Sequence, residues 1–159
     1  MIDPTKPHGE GAARSDRALP RGPRKSSVEL NHTLVHSKDT WAAAREVAGV
    51  LGVAEPTSYG PFAVLQLDNG VSLDFLEDHG EIASQHYAFL VGEDDFDAIW
   101  GRIREQGRQF WADPFKRQSG KINHGDGGRG LYWEGPDGHW LEIITRPYGS
   151  ADEGGGEES

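Results

Sequence analysis

The sequence states part of its pattern twice. His32 precedes Gly52 by twenty residues, and His86 precedes Gly107 by twenty-one. Each half then closes on a leucine-acid-apolar triplet, Leu73-Asp74-Phe75 in the first and Leu141-Glu142-Ile143 in the second. A duplication of this kind confines the fold. Two copies of one small unit, each with too little apolar surface to close a core alone, must pack their sheets around a shared interior. The halves differ in one place. The histidine-to-acid distance is 42 residues in the first and 56 in the second, and the extra fourteen fit the turn-rich stretch Asp113–Gly128.

Each half reads as a strand, a helix and further strands. Val28–Val35 alternates, with Leu30, His32 and Leu34 on one face. Ser37 is placed to cap a helix whose Trp41, Ala44, Ala48 and Leu51 recur at helical spacing, with Gly52 as its stop. Phe62–Leu67 and Val71–Leu76 read as strands joined by the hairpin signal Asp68-Asn69-Gly70. Gln85–Val91 is a strand. Acidic residues from Glu93 crowd the start of a second helix, with Phe96, Ile99/Trp100 and Ile103 as its buried stripe and Gly107 as its end. Gln109–Ala112, Gly130–Glu134 and His139–Thr145 complete the pattern, the last two joined by Gly135-Pro136-Asp137-Gly138.

The ends differ in kind from this unit. Residues 1–27 carry six basic and three acidic groups, with only Ile2 and Leu19 as large aliphatics. Such a segment cannot bury enough apolar surface to offset its ordering entropy, so a disordered arm is expected. Residues 149–159 are expected to be a flexible acidic tail. The folded unit, 28–148, has ten basic and nineteen acidic residues. That balance argues against nucleic-acid binding. No apolar run of about 18 residues predicts a membrane span. No secretory signal is expected either, so the reading is a cytoplasmic protein. With no cysteine, disulfides, thiolate ligands and a cysteine nucleophile are excluded.

Strand alternation predicts where the chemistry sits. On the last strand Leu141 and Ile143 face one side, and Glu142 faces the other beside Trp140 and Ile144. Asp74 stands likewise opposite Leu73 and Phe75. If the apolar sides receive the helices, the sides carrying His32, His86, Asp74 and Glu142 converge inside. An ionised glutamate between Trp140 and Ile144 is costly unless paired or metal-bound. Two imidazoles and one or two carboxylates suit a divalent ion: Fe, Zn, Ni, Co or Mn. His36 and His79 read as surface groups near strand ends, and His139 as a turn cap.

Three segments carry a family resemblance: Leu30-Asn31-His32-Thr33-Leu34-Val35, Gln85-His86-Tyr87-Ala88-Phe89-Leu90-Val91 and Gly135-Pro136-Asp137-Gly138-His139-Trp140-Leu141-Glu142-Ile143. They resemble the signatures of the vicinal oxygen chelate superfamily, which includes glyoxalase I, extradiol dioxygenases and bleomycin- and fosfomycin-resistance proteins. The resemblance covers 28–148. It implies an α+β fold of two tandem βαβββ modules forming a cupped mixed sheet around a metal cavity. It implies His32, His86 and Glu142 as metal ligands, and a homodimer. The fourth ligand position, a glutamate in glyoxalase I, matches the shorter Asp74, which is read as ligand or base.

The insertion plus the adjoining Arg129 holds Lys116, Arg117, Lys121 and Arg129, four of the ten basic residues of the unit, together with His124. It reads as a mobile basic loop suited to an anionic or oxygen-rich substrate, and Lys116, Lys121, His124 and Arg129 are its candidate contacts. Trp133, Trp140, Tyr132 and Phe115 could stack a flat ligand. Gly125-x-Gly127-x-x-Gly130 matches a dinucleotide fingerprint by letter. It leads into a strand rather than a helix, which excludes that reading. The expectation is a metal-dependent enzyme of isomerase or lyase type on a small oxygen-bearing substrate, with Asp74 as base and Glu142 at the metal. The alternatives are an Fe(II) dioxygenase of extradiol type and an antibiotic-binding protein without turnover.

Overall fold

The computed structural model describes residues 27–151. The expected N-terminal arm, Ser27 apart, and most of the acidic tail lie outside them. Strand β1 (His32–Ser37), helix α1 (Thr40–Leu51) and strands β2 (Thr57–Tyr59), β3 (Phe62–Gln66) and β4 (Ser72–Glu77) form the first module. Strand β5 (His86–Leu90), helix α2 (Glu93–Glu105) and strands β6 (Phe110–Trp111), β7 (Gly130–Glu134) and β8 (Trp140–Ile144) form the second. Each module is one four-stranded mixed sheet. The orders are β1-β4-β3-β2 and β5-β8-β7-β6, so the duplication read from the sequence is a duplication of topology. The first strand of each half runs parallel to the last, and the other pairs are antiparallel.

The helices form where composition and caps require. Asp39 caps α1, its side chain accepting the Ala42 N–H at 3.0 Å. Ser37, the expected cap, is instead the fully buried end of β1, because the parallel ladder continues to the pair Ser37–Glu77. Gly52 ends α1 in the left-handed region at φ 72°, which a side chain would strain. Acidic Glu93, Asp94 and Asp95 open α2, and Arg102 and Arg104 close it, matching the helix dipole at both ends.

One core spans both modules. Val35, Val47, Leu65 and Phe75 lie in it from the first module, and Phe96, Ile99, Leu131, Trp133 and Ile143 from the second. Burying a side chain such as Phe96 or Ile99 contributes about 1.5–3 kcal/mol. Arg102 ties the halves together, its Nε donating to the Val50 carbonyl at 2.8 Å. Trp41 is not in this core. It stays 36% exposed beneath the Arg45 guanidinium, and Val47 takes the buried place. Strand β2, absent from the sequence reading, has three exposed residues and no alternation to betray it.

Candidate metal centre

The opposite face of each sheet carries the candidate ligands. In the β5–β8 ladder His86 lies opposite Trp140, and Ala88 opposite Glu142. Leu141 and Ile143 enter the core, so Glu142 turns to the far face, where it is 1% exposed. Its Oε2 meets His86 Nε2 at 3.0 Å. His86 Nδ1 lies 3.0 Å from the Trp140 carbonyl and donates to it. The Nε2 lone pair of a neutral ring would then face a buried carboxylate. Such a pair requires a cation between its members, a proton or a metal ion. The donor chemistry of His86 and Glu142 therefore fits a divalent ion.

Glu142 has a second partner that the sequence reading missed. The Tyr148 hydroxyl donates to Oε1, and the Tyr132 and Tyr148 hydroxyls lie 3.1 Å apart. Burial, then the hydrogen bond to Tyr148, then the Glu142 charge push the Tyr132 phenol far above its ordinary pKa. Burial and the hydrogen bond to Glu142 raise that of Tyr148. Tyr148 follows the last strand by four residues and has no counterpart in the first half. No repeat or spacing marked it.

The other half of the constellation stands on the first sheet. His32 and Asp74 share one face of the β1–β4 ladder, where His32 pairs with Ser72 and Leu34 with Asp74. His32 is exposed, its Nδ1 2.8 Å from Asn31 Oδ1. Asp74 is half-buried and accepts from the Ser72 hydroxyl at 2.8 Å. Among the described residues of one chain, no group of three or more histidines and acids comes together as a metal site. The chain thus assembles His86 with Glu142 and leaves His32 and Asp74 on the other sheet.

A ladder of rings leads away from His86. Its imidazole stacks on Tyr132 at 6.0 Å between centroids, and Tyr132 stacks on Trp140 at 5.9 Å. Trp111 lies 5.4 Å beyond Trp140, and Lys116 Nζ sits 5.1 Å from both indoles. Glu134 holds that ammonium at 3.1 Å. The insertion is also better tethered than a mobile loop. The Asp113 carboxylate accepts the N–H groups of Phe115, Arg117 and Gln118 at 3.1, 3.0 and 2.7 Å.

Several expected contacts lie elsewhere. Trp133 is 1% exposed and belongs to the core, because alternation along β7 gives the ligand face to Tyr132 instead. Arg129 spends its guanidinium on Glu93 and Asp97, 2.7 Å from each, and over the Phe96 ring. It clamps the insertion to α2 and does not join Lys116. Lys121, His124 and Phe115 are exposed on the loop. His139 is buried, its Nδ1 accepting the Gln85 N–H at 3.1 Å and its Nε2 lying 2.7 Å from the His36 carbonyl. His36 and His79 pair with Asp78 and Glu77 at the surface.

Two tandem βαβββ modules, with histidine and glutamate on adjacent strands of the second sheet, define a class of small α+β proteins built from a repeated unit. Among solved structures the chain is similar to Oxidase ChaP-H1 at 60% identity and a TM-score of 0.76, covering 77% of this chain and 99% of that one. Oxidase ChaP-H2 is 58% identical with a TM-score of 0.77, over 79% and 99%. A glyoxalase / bleomycin resistance protein from Catenulispora acidiphila is 25% identical with a TM-score of 0.54, over 75% and 100%. No protein-family model and no curated protein matches. The chain belongs to the vicinal oxygen chelate superfamily.

Proposed function

We propose that the protein is a metal-dependent oxidase of a small, flat, oxygen-bearing substrate, working as a homodimer. The observation that carries this reading is Glu142, a buried carboxylate with a histidine ring nitrogen 3.0 Å away. His86 and Glu142 would hold the ion together with His32 of a second copy, since one chain leaves His32 on its other sheet. An ion held there, iron before Zn, Ni, Co or Mn, supplies redox chemistry and a Lewis acid for a substrate oxygen.

The chain's own residues would bind and orient the substrate. Trp140, half-buried and backed by the Tyr132 ring, offers an aromatic surface to a flat molecule. Lys116 puts positive charge at the end of that wall and suits an anionic oxygen. Asp74, on the same sheet as His32, is the candidate base. The names of the two structures at 60% and 58% identity favour oxidation over the isomerase or lyase chemistry that an acid at position 74 suggests.

The test is oxygen uptake. Iron-loaded protein is offered catechols and α-hydroxycarbonyl compounds, alongside Glu142→Ala. Uptake that vanishes in the variant supports the reading. Turnover without oxygen returns the isomerase or lyase alternative. Ligand binding with neither turnover nor metal makes the protein a binder.

A further inference from the structure

Glu142 uses its two oxygens differently. Oε2 faces His86, whereas Oε1 accepts the Tyr148 hydroxyl. Tyr148 gives its only proton to the carboxylate. The Tyr132 hydroxyl, 3.1 Å away, must therefore donate to the Tyr148 oxygen. The chain of donation runs from Tyr132 to Tyr148 to Glu142. Tyr148 itself is 67% exposed, so it reaches this buried carboxylate from the solvent side. The turn that carries it is closed by Ser150 N–H donating to the Pro147 carbonyl at 3.2 Å, with Gly149 at φ 79°.

We propose that Tyr148 is a positioning residue of the metal centre. Its phenol holds Oε1 of Glu142 and confines the carboxylate to one-oxygen ligation through Oε2, with Tyr132 fixing the phenol. The inference rests on the metal-centre reading above. Its physical basis is that a ligand held by an outer hydrogen bond keeps one orientation, whereas a freed carboxylate can rotate or chelate through both oxygens.

The experiment measures Zn(II) affinity by chelator competition and the visible spectrum of the Co(II) protein. The samples are the parent, Tyr148→Phe, Tyr132→Phe and Glu142→Ala. Tyr148→Phe should weaken Zn(II) about 10–100-fold and lower the Co(II) band intensity as coordination expands. Tyr132→Phe should move both readouts the same way by less. It also serves as the deciding variant if Tyr148→Phe fails to melt cooperatively without metal. Parent-like affinity and spectra in the phenylalanine variants, with metal lost in Glu142→Ala, overturn the role of Tyr148 alone. Parent-like metal binding in Glu142→Ala overturns the metal centre as well.

Discussion

His86 and Glu142 are not register partners. His86 lies opposite Trp140 and Glu142 opposite Ala88, yet their side chains meet at 3.0 Å along the diagonal of the β5–β8 ladder. Diagonal neighbours on one sheet face are within reach of long side chains. The parallel pairing of first and last strands makes this contact possible, and the duplication repeats the frame for His32 and Asp74.

Removing either partner should remove metal-linked stability. A divalent ion at a hundredfold excess over its dissociation constant should stabilise the parent by about 2.7 kcal/mol. His86→Ala and Glu142→Ala should show no such gain in thermal melts with and without metal. His79→Ala should keep it. His139→Ala should keep it too while losing about 1–3 kcal/mol of basal stability, because its ring satisfies the Gln85 N–H and reaches the His36 carbonyl inside the protein.

Two tryptophans, Trp133 on β7 and Trp140 on β8, should respond in opposite ways. Trp133→Ala opens a cavity in the core and should cost about 3–5 kcal/mol in denaturant unfolding. Trp140→Phe keeps a ring on the ligand face and should leave stability within about 1.5 kcal/mol while altering affinity for a flat ligand.

Much of this was legible. Turns and glycine stops marked the repeat, and alternation put Glu142 and His86 on one face. What escaped has physical causes. Trp133 and Tyr132 are equally aromatic, and only the strand's absolute phase assigns one to the core. Arg129 looked like a substrate contact because its partners, Glu93 and Asp97, lie 36 and 32 residues away on α2. Tyr148 follows the last strand alone, where no periodicity operates.

The Arg129 clamp should appear in the pH dependence of stability. A Thr145 hydrogen bond and the Arg129 guanidinium hold the Glu93 carboxyl below its ordinary pKa, and Arg129 does the same for Asp97. Depressed carboxyls stabilise the fold above the ordinary carboxylate range, and that contribution is lost as pH falls through it. The melting midpoint of Arg129→Ala should therefore lie furthest below the parent's near neutral pH. The gap should close under acid conditions.

Lys116 should govern ligand use and not folding. Lys116→Ala should raise KM for an anionic flat substrate about tenfold, or about 1.4 kcal/mol, with stability within about 0.5 kcal/mol of the parent. Lys121→Ala, on the exposed part of the loop, should leave KM unchanged in steady-state kinetics.

The central claim is that two copies complete one centre, and subunit mixing tests it most directly. His32→Ala and Glu142→Ala are purified separately, mixed, unfolded and refolded together, and their bound metal is counted. Each variant alone should hold none. In the mixture, half of randomly paired dimers are mixed and each carries one intact site, so about a quarter of the parent's metal should return. A mixture as empty as its components, beside a fully loaded parent, would contradict a centre shared between copies.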